Sequence, residues 1–98
     1  VGLTKVTALE QAGKGITANA ICPGWVLTPL VQKQIDDNAK AKGISAQQAK
    51  EELLAAKEPS MHFSTPADIG ALTVFLCSDA AANMTGTSLS HDGGWTAQ

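Results

Sequence analysis

The fold is decided by residues 16–30, ITANAICPGWVLTPL, in which an apolar run meets a Pro-Gly pair and then a helix start. The run Ile16–Cys22 is apolar and β-branched without clean alternation, which is typical of a strand buried on both faces. Pro23 is expected to stop the strand, because proline offers no N–H to a ladder. In open α/β sheets, small ligands dock where the carboxyl end of a strand meets such a turn. This turn is therefore the first candidate for a binding site.

A helix is predicted in front of this strand. Residues 1–12 have the pattern of the later part of an amphipathic helix, which Gly13 and Gly15 can end because glycine accepts the left-handed conformation. No capping residue precedes the helix, so we expect that the front portion of the domain is missing. The apolar side of the helix carries Leu3, Val6 and Leu9.

Residues 28–58 are predicted to form a mostly polar helical hairpin with few large apolar anchors. Thr28 and Pro29 begin its first helix, Gly43 ends it, and Ser45–Gln48 is a capping box for the second helix. The narrow apolar stripe of the second helix consists of Ala49, Leu53 and Ala56, and Pro59 is expected to end it. Segments that bury little open locally. A lid over a ligand and a passive surface insertion are both compatible with this pattern.

The last third of the chain predicts a helix and a short strand. Thr65–Asp68 combines a threonine cap, a proline and an acid at the third position, which marks a helix start. Its core-facing stripe is expected to be Ile69, Leu72, Phe75 and Leu76. Gly86–His91 follows as a strand that would pair in parallel with the first one. Two parallel strands are not stable alone, so the chain is expected to be part of a larger α/β domain.

Charge and cysteine usage exclude several classes of function. The net charge is −2 and the seven basic residues are dispersed, so a nucleic-acid interface is not expected. No apolar run approaches the roughly 18 residues that span a bilayer, so no membrane segment is expected. Cys22 and Cys77 lie in apolar settings and are expected to be buried thiols, without a disulfide or a metal ion.

Five short motifs, in their order and spacing, resemble the C-terminal part of a short-chain dehydrogenase/reductase. They are Asn19–Gly24, Thr28–Pro29, Asp68–Gly70 with Phe75–Ala81, Gly86, and Asp92–Gly94. The resemblance covers essentially all of residues 1–98. It implies the C-terminal portion of a Rossmann-like, doubly wound parallel sheet in the order helix, strand, helical lid, helix, strand, with the N-terminal part missing.

A second set of segments resembles the 3-hydroxybutyrate dehydrogenases within that family. The segments are Val6–Glu10, Cys22–Val26, Leu30–Val31 with Gln34–Ile35, Leu53–Leu54, Pro59–Ser60 and Gly93–Ala97. This resemblance implies NAD as the cofactor and (R)-3-hydroxybutyrate and acetoacetate as the substrate pair. It also implies a cytoplasmic homotetramer.

The resemblance further implies the site residues. Pro23, Gly24, Trp25, Val26 and Thr28 would contact the nicotinamide half of the cofactor, while Gln34, Trp25 and Trp95 would contact a small hydroxy acid. Each also has a plainer interpretation. Thr28 can be only a helix cap, Gln34 an exposed helix residue, and the tryptophans core packing. Glycine at 24 would let the backbone approach the cofactor closely.

The chain contains no tyrosine. Because the family uses a serine, a tyrosine and a lysine that lie upstream of this segment, the resemblance implies that these 98 residues alone are inactive. Neither His62 nor His91 has a nucleophile beside it in the sequence, so neither is expected to be catalytic. Two alternatives stay open at this point. One is a reductase of acetoacetyl-thioesters or 3-oxoacyl groups that uses NADPH, and the other is a non-catalytic helical assembly module that uses the stripe of residues 1–9.

Overall fold

The computed structural model describes residues 1–98 and contains four α-helices, two strands and two short 3₁₀ turns. The α-helices are α1 (Gly2–Gln11), α2 (Pro29–Lys42), α3 (Ala46–Ala55) and α4 (Pro66–Leu76). The strands are β1 (Ala20–Pro23) and β2 (Ser88–His91), and the 3₁₀ turns are Asp79–Ala81 and Trp95–Ala97. The order of helices and strands is the one that the sequence predicts.

The two strands pair in parallel, as predicted, with Ala20 opposite Ser88 and Pro23 opposite His91. The predicted bounds of β1 were wrong at both ends. Residues 16–19 are not strand, and the ladder includes Pro23. Proline is tolerated because it is the last residue, and the next donor, the Gly24 N–H, completes the ladder at 3.0 Å from the His91 carbonyl oxygen. Residues 20–22 are half-buried, so this strand is not covered on both faces within the chain.

The α2–α3 hairpin contains the main apolar cluster of the chain, although its large buried apolar residues are few, as predicted. Ile35, Ala39 and Ala49 are buried where the two helices pack together. Partly buried residues surround them, namely Leu27, Val31, Ile44, Leu53 and Phe63. Small alanines let the helices approach closely, so one isoleucine suffices to fill the space between them. The hairpin therefore has a core of its own.

The ends of the hairpin helices follow their caps. The Val31 N–H donates to Thr28 Oγ1 at 3.3 Å, and Gly43 ends α2 in the left-handed region with φ of 65°. The predicted capping box of α3 forms only by half, since the Gln48 N–H donates to Ser45 Oγ but the Gln48 side chain does not return the bond. Helix α3 ends at Ala55, before Pro59. Leu54 is buried, whereas Ala56, which was expected on the apolar stripe, is exposed.

Helix α4 begins with the complete capping box that the sequence predicts. The Asp68 N–H donates to Thr65 Oγ1 at 3.1 Å, and the Asp68 carboxylate accepts from the Thr65 N–H at 2.9 Å. The hydrogen bond from the Thr65 N–H lowers the pKa of Asp68 below its ordinary value, and the hydrogen bond with the Thr65 hydroxyl adds a smaller effect in the same direction. The predicted stripe of α4 is uncovered, since Phe75 is exposed and the other three residues are only half-buried.

The chain is elongated rather than compact. Its radius of gyration is 17.1 Å, against about 13 Å for a compact domain of 100 residues. Nine of the 98 residues are buried, and Leu3 and Leu9 on α1 are both about four-fifths exposed. Cys77 is exposed, which corrects the expectation of a buried thiol, while Cys22 is half-buried; both are free. None of the helices has the length and apolar character to cross a bilayer.

Candidate functional site

Three segments meet at the carboxyl end of the two-stranded sheet. The first is the 24–28 loop (Gly24–Thr28) between β1 and α2, and the second is the 58–64 connector (Glu58–Ser64) between α3 and α4. The third is the 92–95 turn (Asp92–Trp95) after β2. A parallel sheet brings the carboxyl ends of its strands to one edge, so the position matches the predicted docking edge.

The backbone of the 24–28 loop is held almost completely by hydrogen bonds. Four of its five N–H groups donate hydrogen bonds within the protein. The Gly24 N–H donates to the His91 carbonyl, and the Trp25 N–H donates to the Glu58 carboxylate. The Leu27 N–H donates to the Ser64 carbonyl, and the Thr28 N–H donates to the Val26 carbonyl. The Val26 N–H has no hydrogen-bond partner. Since nearly every backbone N–H in a folded protein is paired, this donor is available to a ligand.

The 58–64 connector binds the 24–28 loop on both sides of Val26. The Ser64 N–H donates to the Trp25 carbonyl at 3.0 Å, and the Leu27 N–H donates to the Ser64 carbonyl at 2.9 Å. Val26 thus forms an isolated parallel bridge with Ser64. The connector acts as a short third strand beside the loop.

His91 joins the end of β2 to this bridge. Its Nδ1 lies 2.6 Å from Ser64 Oγ, and the same Oγ lies 3.3 Å from the His91 carbonyl oxygen. Both contacts are satisfied when the hydroxyl donates to the carbonyl and Nδ1–H donates to the hydroxyl. Ser64 is buried, so the histidine supplies a partner that an apolar residue could not. This pairing gives the histidine at the end of β2 a structural role.

Glu58 lies at the centre of the site, although no local sequence signal indicates it. Its side chain is only 2% exposed, and Oε1 accepts the hydrogen bond from the Trp25 N–H. Oε2 is buried without a partner. A Cβ at Gly24 would lie 2.5 Å from Oε1 and 3.0 Å from Asp92 Cα. Glycine at 24 is therefore required by packing inside the protein, which is a different reason from the approach to a ligand that the sequence suggested.

Asp92 shapes the turn that carries Trp95. Its carboxylate accepts from the Gly94 N–H at 3.1 Å and from the Thr96 N–H and hydroxyl at 3.1 and 2.7 Å. The hydrogen bond from the Thr96 hydroxyl holds the pKa of Asp92 below its ordinary value, and the backbone N–H donors add smaller effects in the same direction. Lys57 Nζ lies 4.7 Å from the centroid of the Trp95 ring, within the range of a cation–π interaction. The turn and the indole it carries are thus fixed from two sides.

The structure brings most of the predicted site residues to this edge. Trp25 and Trp95 are both half-buried and flank the region around Glu58, and the indole Nε1 of Trp25 is buried without a partner. Thr28 caps α2, so its plainer interpretation is observed. Gln34 is exposed on the side of α2 that carries Leu30 and Asp37, and no hydrogen bond joins it to the other site residues.

The histidine of the 58–64 connector takes no part in the contacts of this edge. The His62 side chain is exposed, and only its backbone N–H is engaged, with Ser60 Oγ at 3.4 Å. No three His, Cys, Asp or Glu side chains come together in a way that could hold a metal ion.

Comparison with known proteins agrees with the geometry. A family model described as "Enoyl-(Acyl carrier protein) reductase" matches residues 1–96. The chain is 60% identical over its full length to a D-beta-hydroxybutyrate dehydrogenase of Cupriavidus necator and 50% identical to one of Rhizobium meliloti. It spans 38% of the length of each.

A solved structure with the same fold carries a nicotinamide cofactor. L-sorbose reductase from Gluconobacter frateurii, complexed with NADPH and L-sorbose, matches 99% of this chain with a TM-score of 0.88 and 28% identity. The matched region is 37% of the reductase chain. The two strands and their helices are therefore a portion of a larger Rossmann-type sheet, and the chain belongs to the short-chain dehydrogenase/reductase family.

Proposed function

We propose that the protein containing this chain interconverts (R)-3-hydroxybutyrate and acetoacetate with NAD. The 24–28 loop would form the nicotinamide side of the site, and the α2–α3 hairpin would form a lid over the substrate. The names of the two dehydrogenase relatives, at 60% and 50% identity, support the substrate pair. When bound, the nicotinamide ring supplies the hydride acceptor or donor of this chemistry.

The observation that carries the proposal is the free N–H of Val26. Its four neighbours in the 24–28 loop have their N–H groups paired within the protein, so the loop presents one donor in a fixed direction. The carboxamide of nicotinamide offers a carbonyl oxygen that such a donor can bind. A rigidly held amide donor would orient the ring, so that one face is presented to the substrate.

Thr28 can serve the cofactor without losing its role as a cap. Its hydroxyl oxygen accepts a hydrogen bond from the Val31 N–H, and the hydroxyl hydrogen has no acceptor in the structure. A hydroxyl donates once and accepts twice, so the cap leaves the donor free. Thr28 would therefore donate to the cofactor while it holds the start of α2. Pro23 and Gly24 would support this contact by fixing where the loop leaves the sheet.

Substrate recognition would use the hairpin and the two tryptophans. We propose that the side-chain amide of Gln34 donates to the substrate carboxylate when the hairpin closes, since Gln34 is exposed on α2. Trp25 and Trp95 would wall the carbon end of the substrate, because rigid aromatic surfaces suit a small apolar group. The chain contains no tyrosine that could transfer the hydroxyl proton, so we propose that the 98 residues alone are inactive.

The substrate assignment is tested by turnover of the intact gene product. We expect oxidation of (R)-3-hydroxybutyrate with NAD, and weaker activity with NADP or with acetoacetyl-CoA and NADPH. A preference for the thioester and NADPH would replace the proposal with the reductase alternative. Self-association without any affinity for either cofactor would favour the assembly module. The same preparation tests whether the cytoplasmic homotetramer that we propose forms, by light scattering after size exclusion.

The role of Val26 is tested with a cofactor analogue. The 3-acetylpyridine analogue of NAD keeps the carbonyl oxygen and lacks the amide NH₂. If the Val26 N–H is the group that holds the ring, the analogue binds the intact protein within about threefold of NAD, because the acceptor oxygen is retained. An analogue with no carbonyl group should bind about tenfold more weakly. Equal affinity for all three cofactors would refute the contact.

A further inference from the structure

The 58–64 connector links the α2–α3 hairpin to the 24–28 loop through one buried side chain. Glu58 continues the end of α3, since its N–H donates to the Leu54 carbonyl at 2.8 Å. Leu54 is itself buried, so this end of α3 is held in place. At its other end, the Glu58 carboxylate accepts from the N–H of Trp25. A movement of α3 is therefore transmitted to the peptide unit between Gly24 and Trp25.

Glu58 is not the residue that packing alone would favour at this place. Its side chain is almost fully buried, Oε2 has no partner, and no cation lies within ion-pair distance of it. A buried carboxylate with an unpaired oxygen lowers stability compared with an apolar side chain of the same size. The one interaction that an apolar residue could not supply is the acceptor for the Trp25 N–H.

The peptide unit that Glu58 holds determines where the free donor points. Val26 follows Trp25 directly, and the Trp25 carbonyl is held from the opposite side by the Ser64 N–H. With both of its backbone groups bound, Trp25 cannot rotate independently of the connector. The Val26 N–H is then fixed with it, because the peptide bond between the two residues is planar.

We propose that Glu58 is a positioning residue that couples the hairpin to the 24–28 loop and aims the Val26 N–H at the cofactor. The inference rests on the proposed function, because it assigns a purpose to Glu58 at the same site. Closure of the hairpin over the substrate and orientation of the nicotinamide ring become linked through this carboxylate. Glu58 itself touches neither ligand.

The test uses the intact gene product with two variants of similar volume. Glu58→Gln keeps an acceptor oxygen for the Trp25 N–H, whereas Glu58→Met fills the space without one. We expect the methionine variant to bind NADH about tenfold more weakly, which is the effect of one lost charge-assisted hydrogen bond, and its KM for 3-hydroxybutyrate to rise as well. The glutamine variant should stay within about threefold of the wild type in both constants.

Asn19→Ala is the matched control for a merely structural effect. The Asn19 side chain makes two hydrogen bonds to the backbone, to the Met84 carbonyl at 2.9 Å and from the Thr87 N–H at 3.2 Å, at the opposite end of the sheet. Its loss should lower the melting temperature without changing the dissociation constant of NADH. A parallel loss of affinity in this control would show that general destabilisation, and not positioning, weakens binding.

Three further outcomes decide the inference. The inference is overturned if the glutamine and methionine variants lose the same affinity for NADH. It is also overturned if the methionine variant binds NADH like the wild type. If the methionine variant does not fold, Gly24→Ala tests the hydrogen bond between Glu58 and the Trp25 N–H instead, since the added Cβ would lie 2.5 Å from Glu58 Oε1. An unchanged affinity of the Gly24→Ala protein for NADH would also refute the coupling. A wild-type protein without affinity for NADH would refute the proposed function itself, which is a distinguishable result.

Discussion

Gly24→Ala is the perturbation for which the structure gives the clearest magnitude. The added Cβ would lie 2.5 Å from Glu58 Oε1, 3.0 Å from Asp92 Cα and 3.1 Å from Asp92 Cβ. Ordinary contacts of a Cβ begin near 3.4 Å, so atoms must move by several tenths of an ångström. Glu58 could yield only by releasing the Trp25 N–H, and Asp92 only by shifting a backbone that β2 holds. Overpacking of this kind lowers the free energy of unfolding by about 1–3 kcal/mol.

The prediction is measured by urea denaturation and NADH titration of the intact protein. Gly86→Ala is the control, because Gly86 has φ of +74° and lies at the amino end of β2. An alanine in the left-handed region lowers the free energy of unfolding by about 1–2 kcal/mol, which matches the expected loss at Gly24. Only Gly24→Ala should also weaken NADH binding. A Gly24→Ala protein with wild-type stability and affinity would refute the packing argument.

Three further changes are expected to act separately. Thr65→Ala removes one half of the capping box with Asp68 and should lower the free energy of unfolding by about 1 kcal/mol, measured by thermal denaturation at pH 7. Asp92→Asn tests pH dependence. Because folding lowers the pKa of Asp92, its carboxylate stabilises the fold fully above the unfolded value near 3.8 and loses that effect as the pH falls through the folded pKa. The asparagine variant should therefore show a smaller loss of stability on acidification, and an unchanged pH profile would contradict the assignment. Gln34→Leu should raise the KM for 3-hydroxybutyrate about tenfold without changing the affinity for NADH, and a change in NADH affinity alone would place Gln34 elsewhere.

The local signals of the sequence predicted the helix starts and the order of the elements. Thr28, Thr65 and Gly43 act within one turn of their own position, so their effect depends little on the rest of the fold. The parallel pairing also followed from the sequence, because a strand, a helical segment and a second strand leave few other arrangements. The motifs predicted a site at the carboxyl edge of the sheet, and the structure brings Trp25, Val26 and Trp95 together there.

The parts that failed depend on contacts between distant residues. Whether Pro23 lies inside the ladder depends on His91, and which leucine of α3 is buried depends on how α3 meets α2. Glu58 could not be found from its neighbours, since a glutamate before a proline is usually a solvated residue. Its role arises only when the 24–28 loop and the 92–95 turn fold against it.

The structure separates the groups that orient the site from those that stabilise the fold. The 24–28 loop is fixed by hydrogen bonds with Glu58, Ser64 and His91, all within these residues, so the direction of the Val26 N–H is set locally. The apolar faces of α1 and α4 are different, because Leu3, Leu9 and Val74 remain largely exposed. Covering each such side chain would add about 1.5–3 kcal/mol to the stability of the intact protein. A substitution on α1 should therefore change the stability of the intact protein and leave the orientation of the cofactor unchanged, whereas one at Glu58 should change that orientation.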